Sequence, residues 1–426
     1  MRVEVVVRTR KVGHFFPGGT VDAYDTWVEL KATDDKGQVL FWSGSIEDDG
    51  KGPVDPGAHF YRSLQVDGHG NPINKRNAWA TRSVVYVRLI PPGAADTVHY
   101  RLHVPANAGS HIKLEAKLRY RKFSWWDTQF SFAGEPDPAH ASDTITSDFD
   151  DRPFTFTAKV EGVSATLQQI PQLPSVVMSQ NEATLTVVSG GPRPGPRTVL
   201  DRGDWTRWND YGIGLLLQGD LKGAAAAFGK ITEMDPSNPD GWVNLGRVAV
   251  QEGDMARARQ VLEQALKLSP KLARAHFFYA KVLRNEGKYD EAEQHLRTVL
   301  EQYPRDRVAV NDLGRILFLR RQYAAAVDVL RQVLQIDPED LQAHYNLMLC
   351  YQGLGNSGEA ELERKLYLRF KADEASQVIT GPYRQLHPED NNERQAIHEH
   401  VSAPLSAPAR RLAAQRKRAD SKGVSD

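Results

Sequence analysis

A spacing of 34 residues recurs through the second half of this sequence and restricts the fold more than any other feature. Proline, glycine and alanine each return at this interval. The three series are Pro236, Pro270, Pro304 and Pro338; Gly212, Gly246, Ala280 and Gly314; and Ala224, Ala258, Ala292, Ala326 and Ala360. Small residues at fixed places let two helices approach closely, and proline ends a helix because it lacks the backbone donor. The spacing therefore predicts helix–turn–helix units stacked into an α-helical solenoid.

Glycine marks the predicted turn inside each unit. Gly219, Gly253, Gly287 and Gly355 keep the same interval, and Arg321 replaces the glycine of the fourth unit. A glycine at this place ends the first helix in the left-handed backbone conformation. The pattern resembles the tetratricopeptide repeat and predicts five such repeats. Their bounds are 205–238, 239–272, 273–306, 307–340 and 341–374.

The first half of the chain shows the two-residue periodicity of β-strands. Between Ile112 and Arg121 apolar side chains alternate with charged ones, which is typical of a strand with one solvent-exposed face. The predicted strands are Val3–Arg10, Thr26–Thr33, Val39–Trp42, Phe60–Val66, Ser83–Ile90, Val98–Val104, Ile112–Arg121, Phe154–Val160 and Ala183–Val188. For residues 1–189 we predict an antiparallel, immunoglobulin-like β-sandwich, so the fold class is multidomain β + α.

Three further segments complete the predicted domain organisation. Residues 190–204 are rich in proline and glycine and predict a linker. Residues 375–401 follow the last repeat and predict a C-terminal segment that caps the solenoid, and residues 402–426 predict a disordered tail. Strand-like sequence begins directly after Met1 without the features of a signal peptide, so we expect the natural product to begin upstream or this start to be internal.

Composition argues against several classes of function. The 426 residues include 54 basic and 54 acidic side chains, and this balance argues against binding nucleic acid. The single cysteine, Cys350, excludes from this chain a disulfide framework, a cysteine-rich zinc site and the C-x-x-C-H sequence that attaches haem c. No apolar run reaches the roughly 18 residues that a membrane span needs. No nucleophile–base pair, phosphate-binding loop or paired carboxylates stand out, so we predict that the chain is not an enzyme.

Short sequences in both halves are similar to the non-haem portion of multihaem c-type cytochromes that contain tetratricopeptide repeats. They are Gly13–Thr20, Trp27–Leu30, Ile90–Gly93, Tyr120–Phe123, Ile170–Pro171, Asp337–Asp340 and Arg369–Glu374. The resemblance implies a haem-bearing domain before the β-domain and a periplasmic location. The sequence predicts that this chain alone binds no cofactor, so haem c would come from an upstream segment or from a partner protein.

His14 is the candidate cofactor ligand. It lies between Gly13 and Phe15, in a predicted turn after the first strand, where imidazole could reach a docked haem as an axial ligand. The alternative is a histidine hydrogen-bonded within a β-turn.

Two other groups have structural interpretations that compete with functional ones. The aromatic group is Phe123, Trp125, Trp126, Phe130 and Phe132. It could be a docking surface, but we favour core filling or packing against the repeats. The polar group is His387, Glu389, Asp390, His398, Glu399 and His400. It could gather a metal ion, but its spacing matches no metal motif, so we predict no metal site and instead a solvated, charged helix on the last repeat.

The predicted partner site is the groove lined by the first helix of each repeat. In the tetratricopeptide fold the ninth position of that helix faces bound peptide, and here it holds Arg247, Lys281 and Arg315. Neighbouring groove positions hold Arg284, Asn311, Phe277, Phe318 and Tyr345. Cations beside aromatic rings suit an extended, acidic segment with an apolar anchor. The alternative is that the cations are solvated or paired with carboxylates of the next helix.

The favoured functional hypothesis is a non-catalytic protein-binding scaffold whose groove holds a partner segment, associated with a multihaem cytochrome system. The alternative is an electron-transfer subunit in which His14 ligates a haem carried upstream or by a partner. A third hypothesis, carbohydrate or cell-surface binding by the β-domain, rests on fold class alone.

Overall fold

The computed structural model describes residues 1–74, 77–128, 135–136, 154–155, 172–188, 202–371 and 375–405. The chain divides into two compact units. The first, here called the β-unit, comprises Met1–Arg197 and Glu374–Asp426; the second, here called the solenoid, comprises Thr198–Asp373. Among the described residues no helix is long and apolar enough to cross a membrane.

The strands of the β-unit pair antiparallel, with one parallel exception among the described residues. Their bounds are β1 (Arg2–Arg8), β2 (Asp25–Asp34), β3 (Val39–Ser43), β4 (His59–Phe60), β5 (Ser63–Val66), β6 (Ser83–Val87), β7 (Ala95–Arg101), β8 (His111–Arg121), β9 (Glu135–Pro136), β10 (Phe154–Thr155), β11 (Ser175–Thr186) and β12 (Glu399–His400). One sheet has the order β11-β8-β2-β3, and β4 also pairs with β2. A second has the order β1-β7-β12, in which β12 runs parallel to β7. Two-stranded sheets join β5 with β6 and β9 with β10.

Apolar side chains from both larger sheets share one core. Leu30 of β2 packs in the same buried cluster as Val98 and Tyr100 of β7. The alternation predicted for β8 places Ile112 and Leu114 in this cluster as well. An immunoglobulin-like strand order stays a prediction.

Two predicted strands have different bounds in the structure. The segment Phe60–Val66 forms two strands, because β4 pairs with β2 whereas β5 pairs with β6. The strand predicted from Ala183 begins at Ser175, because β8 is long enough to pair with it from His111 to Arg121. The strand predicted at Phe154–Val160 is described only at Phe154–Thr155.

In the solenoid each predicted repeat contains one pair of helices. Their bounds are α1 (Trp205–Gln218), α2 (Leu221–Met234), α3 (Pro239–Glu252), α4 (Met255–Leu268), α5 (Ala273–Asn285), α6 (Tyr289–Gln302), α7 (Arg307–Leu319), α8 (Tyr323–Ile336), α9 (Leu341–Gly353) and α10 (Ser357–Phe370). First helices of neighbouring repeats also contact each other, α3 with α5 and α7 with α9. The first helices therefore line one side of the solenoid.

Local sequence explains where these helices end and how closely they pack. Gly219 and Gly253 end α1 and α3 in the left-handed conformation, with φ of 85° and 81°. Arg321 takes the same conformation in the fourth repeat, with φ of 61°. A Cβ atom added at Gly246 would lie 2.5 Å from the side chain of Leu262, so the close approach of α3 and α4 requires glycine.

The segment predicted to cap the last repeat lies in the β-unit instead. It forms α11 (Ala375–Leu386), α12 (Pro388–Asn392) and β12. Tyr383 packs with Leu64 and Tyr86 in a buried cluster of the β-unit. Asp390 accepts hydrogen bonds from Tyr383 Oη at 2.6 Å and from Arg62 at 2.6 Å. The apolar side of α11 thus packs on β5 and β6, and three residues of the polar group predicted to be solvated, Asp390, His398 and His400, are buried.

The remaining predicted segments are described only in part. The predicted linker lies outside the described residues except for Arg202–Asp204, which form one 3₁₀ turn. The predicted tail lies outside them beyond residue 405. Within the described part, Trp42 N donates to Ser402 Oγ at 3.1 Å and Ala403 N donates to the Trp42 carbonyl at 2.9 Å.

Candidate functional site

The side chains predicted to line the groove share one face of the first helices. We call this set the groove face: Arg247, Phe277, Lys281, Arg284, Asn311, Arg315, Phe318 and Tyr345. Within a helix, residues four and seven apart point the same way, which places Phe277, Lys281 and Arg284 together on α5. The Lys281 ammonium lies 4.7 Å from the centre of the Phe277 ring, and the Arg315 guanidinium lies 4.9 Å from that of Phe318. Each of these two cations therefore lies against an aromatic ring.

The centre of the groove face is neutralised by a residue that the sequence analysis did not single out. Asp312 of α7 accepts a hydrogen bond from Lys281 Nζ at 2.7 Å and another from Arg284 at 2.9 Å. All three side chains are largely shielded from solvent, with 24%, 34% and 16% exposure for Lys281, Arg284 and Asp312. Lys281 and Arg284 are therefore paired with a carboxylate, as the alternative interpretation of the groove cations predicts. Asp312 directly follows Asn311 on α7, but the sequence of that helix does not show that it pairs with the preceding repeat.

Arg247 has no carboxylate partner among the described residues. Its guanidinium lies 5.9 Å from the centre of the Phe278 ring. Burial lowers the pKa of Arg247, and the nearby cation of Arg274 lowers it further. Charge at this point of the groove face is thus unbalanced, which favours an anionic ligand.

Arg315 is the second groove cation without a carboxylate partner in the described part of the chain. One terminal nitrogen of its guanidinium is buried and makes no hydrogen bond there. Its positive charge acts on Cys350 of α9, whose thiol pKa is raised to about 11 by burial while Arg315 opposes that shift. The buried side-chain oxygen of Asn311, one turn earlier on α7, also lacks a donor. Unmet polar atoms of this kind cost about 1–3 kcal/mol each and mark a place where a ligand can add hydrogen bonds.

The aromatic members of the groove face differ in exposure. Phe277 and Phe318 are half-buried, whereas Tyr345 is 39% exposed and lies against Tyr367. The groove face therefore offers two partly covered rings and one exposed ring as apolar contacts.

His14 is exposed on the surface of the β-unit. Its Nδ1 bonds to the Phe15 carbonyl at 2.7 Å, so Nδ1 carries the proton and Nε2 has a free lone pair. The ring lies over Gly18, where an added Cβ would meet Nδ1 at 2.6 Å. The Nδ1 contact is that of a turn histidine, and it leaves Nε2 as the ring nitrogen that could bind a metal, so both alternatives for His14 stay open.

The remaining predicted clusters separate into three groups. Trp125 and Trp126 are half-buried and pack edge to face at 4.7 Å, whereas Phe130 and Phe132 lie outside the described residues. His387 stacks on Tyr383 at 4.3 Å and belongs to the packing of α11. His398 and His400 lie in the interior of the β-unit, 8% and 4% exposed, instead of on the last repeat. There they meet His59 and Glu393, two residues that the sequence analysis missed.

Comparison with known proteins agrees with the helical architecture. A family model described as the tetratricopeptide domain of cytochrome c-type biogenesis protein H matches residues 230–344, and a general tetratricopeptide repeat model matches residues 317–378. The solenoid therefore contains tetratricopeptide repeats. No curated protein matches the chain.

Solved structures similar to the chain include two described as MamA and one described as YrrB. A MamA crystal structure is 22% identical, with 41% of this chain and 95% of that chain covered and a TM-score of 0.35. MamA 41-end from Desulfovibrio magneticus RS-1 is 20% identical, with 39% and 95% covered and a TM-score of 0.36. YrrB, described as a TPR protein with an unusual peptide-binding site, is 20% identical, with 42% and 92% covered and a TM-score of 0.35.

Proposed function

We propose that this chain is a non-catalytic scaffold that holds an extended segment of a partner protein on the groove face, in a system that assembles or uses c-type cytochromes. The observation that carries the proposal is the pair of groove cations without a carboxylate partner among the described residues, Arg247 and Arg315. The link to cytochromes is supported by the biogenesis family model at residues 230–344 and by the resemblance of both halves to multihaem cytochromes.

The charges of the groove face indicate which chemistry the partner segment carries. Lys281 and Arg284 are already neutralised by Asp312, so an acidic ligand gains most from the two cations on either side. Packed helices are about 8–10 Å apart, which puts Arg247 and Arg315, two repeats apart, on the order of 20 Å from each other. An extended chain spans about 3.3 Å per residue. The proposed segment therefore carries two acidic side chains about six residues apart, with an apolar side chain near Phe277 or Phe318.

The test compares two matched peptides on the full-length protein. One carries two glutamates six residues apart around an apolar residue, and the other carries glutamines in their place. We expect tighter binding of the glutamate peptide, a loss of roughly tenfold for each of Arg247→Ala and Arg315→Ala, and weakening by salt. Arg297→Ala is the control, because Arg297 pairs with Glu293 on a second helix.

Two results would contradict the proposal. One is equal binding of the glutamate and glutamine peptides. The other is binding of the glutamate peptide that neither the groove substitutions nor salt changes. Circular dichroism of each variant shows whether the solenoid remains folded, so that a loss of binding is not mistaken for unfolding.

A second candidate function is donation of a haem axial ligand by His14. It is supported by the bond from Nδ1 to the Phe15 carbonyl, which leaves Nε2 directed away from that contact. The probe is a haem-bearing peptide with one vacant axial position, titrated into the full-length protein. We expect a low-spin visible spectrum that His14→Ala abolishes and that the exposed control His69→Ala retains. A spectrum unchanged by His14→Ala would leave His14 as a turn residue.

A further inference from the structure

Four buried side chains from distant parts of the sequence converge inside the β-unit. His59 comes from β4, Glu393 follows α12, and His398 and His400 lie at β12. They are 1%, 5%, 8% and 4% exposed respectively. One nitrogen or carboxylate oxygen from each lies within 4.8 Å of all the others. We call this group the His₃Glu cluster.

The outer nitrogen of each imidazole already has a hydrogen-bond acceptor. His59 Nε2 lies 2.9 Å from Asp96 Oδ2, His398 Nδ1 lies 2.9 Å from the Gln395 carbonyl, and His400 Nδ1 lies 2.9 Å from the Gly57 carbonyl. Carbonyl and carboxylate oxygens only accept, so these three nitrogens carry protons.

The other nitrogen of each ring faces inward as a result. These are Nδ1 of His59, Nε2 of His398 and Nε2 of His400, and the carboxylate of Glu393 faces them. Histidines that bind metals in proteins almost always donate their second N–H to a carboxylate or a carbonyl, because that bond fixes the tautomer and the ring orientation. All three rings of the cluster have this arrangement.

The separations inside the cluster agree with four ligands around one small cation. His59 Nδ1 is 3.1 Å from His400 Nε2, and Glu393 Oε1 is 2.9 Å from His398 Nε2 and 3.4 Å from His400 Nε2. His59 Nδ1 is 3.7 Å from Glu393 Oε2. Zinc bonds of about 2.0–2.1 Å in a tetrahedron place ligand atoms about 3.3 Å apart. The three separations between the proposed ligand atoms, 2.9, 3.1 and 3.4 Å, bracket that value, whereas Glu393 Oε2 faces Arg88.

We propose that the His₃Glu cluster binds one divalent transition-metal ion of the zinc type. Three imidazoles and one carboxylate suit zinc, and four protein ligands close its tetrahedral coordination, which is typical of a structural site. The ion would join β4 to the segment 393–400, positions separated by more than 330 residues, and would fix the returning chain end on the β-unit.

Neighbouring charged side chains orient two of the ligands. Arg88 Nε lies 3.0 Å from Glu393 Oε2, which leaves Oε1 facing His398 and His400. Asp96 supports His59 from the far side of the ring.

The alternative to a metal ion inside the His₃Glu cluster is a pair of protons. A proton on His59 Nδ1 would bond to His400 Nε2, and a proton on His398 Nε2 would bond to Glu393 Oε1. A divalent ion replaces both protons with no change in total charge. Metal content is therefore the property that separates the two descriptions.

The test uses the full-length protein, stripped with a chelator and then titrated with Zn²⁺ or Co²⁺. We expect about one equivalent to bind, the visible absorption of four-coordinate Co²⁺, and a higher unfolding temperature of the β-unit with Zn²⁺. The double variant His398→Gln, His400→Gln should lose all three. The control His69→Gln, which changes an exposed histidine of the β-unit outside the cluster, should keep them.

Glu393→Gln is the second variant, in case the double variant does not fold. It keeps the size of the side chain and removes the charged ligand, so we expect affinity for Zn²⁺ to fall roughly tenfold or more. The proposal is overturned if the wild-type protein binds no stoichiometric metal, in which case the two-proton network describes the cluster. It is also overturned if Co²⁺ gives only six-coordinate absorption, or if folded variants bind as the wild type does.

Discussion

The contacts that stabilise the solenoid and the contacts that stabilise the β-unit differ greatly in sequence separation. In the solenoid each helix packs on the next one along the chain, as α3 does with α4 across Gly246 and Leu262. In the β-unit decisive contacts join the two ends of the chain, such as Arg62 with Asp390. The solenoid therefore depends on many similar local contacts, and the β-unit on a few contacts between distant segments. Substitutions in one unit should leave the unfolding of the other unchanged.

The largest effect is expected for Asp390→Ala in the β-unit. Asp390 is 8% exposed and receives hydrogen bonds from Arg62 and Tyr383. Its removal leaves a largely buried guanidinium without its charge partner, so we expect a loss of about 3 kcal/mol in the free energy of unfolding. The loss is measured by urea unfolding, monitored by fluorescence for the β-unit and by circular dichroism for the solenoid. If the urea unfolding midpoint of the solenoid shifted as much as that of the β-unit, the two units would not unfold independently.

A smaller effect, confined to the solenoid, is expected for Gly246→Leu. Its side chain would enter space held by Leu262, 2.5 Å from the new Cβ, and overpacking should cost about 1–3 kcal/mol in the solenoid alone. Gly229→Ala is the matched control. Gly229 has nothing within 4 Å of an added Cβ and lies inside α2, so this change should stabilise the helix by about 0.5–1 kcal/mol. Similar losses for both variants would mean that close helix contact is not the cause.

The solenoid could be predicted closely because its determinants recur in the sequence. The prolines, the small residues and the turn glycines mark each helix pair, and even the substituted position Arg321 keeps the conformation of the glycines. The charge of the groove was harder to predict, because Lys281 and Arg284 meet Asp312 only through the packing of neighbouring repeats. Pairing across repeats has no signature in the sequence of one helix.

The interior of the β-unit could be predicted only in part. Alternation located β1, β2 and β8, but nothing in the sequence near His59 indicates that it meets His400. The pair His398 and His400 is visible in the sequence, but the predicted helix separates it, because residues two apart on a helix point in different directions. In an extended segment residues two apart share one face. The correct periodicity would have placed both imidazoles together, and only the fold adds His59 and Glu393.

Arg321→Gly should stabilise the solenoid slightly and leave the β-unit unchanged. Arg321 holds φ of 61° at the turn where four other repeats have glycine. A left-handed conformation costs a residue with a side chain about 1–2 kcal/mol, and the greater chain entropy of glycine offsets part of it. We expect the solenoid to gain about 0.5–1 kcal/mol in urea unfolding. A loss would show that Arg321 makes contacts worth more than the strain.

The smallest expected effect is a pH dependence of the solenoid. His295 Nδ1 lies 2.7 Å from His276 Nδ1, and burial followed by the charge of His276 lowers the pKa of His295. The unfolded state then binds more protons than the folded state, so stability falls as the pH falls below about 6.5. We expect His295→Gln to reduce this slope between about pH 7 and pH 5. An unchanged slope would assign it to other groups.

The central claim is that the tetratricopeptide repeats form a self-contained unit and that residues 375–405 fold with the β-unit. Two fragments test it directly, residues 202–371 and residues 202–405, compared by circular dichroism and urea unfolding. We predict strongly helical spectra and the same unfolding midpoint for both, because the added segment packs on strands absent from either fragment. A fragment 202–371 that is unfolded while 202–405 is folded would show that the segment caps the last repeat and would contradict the claim.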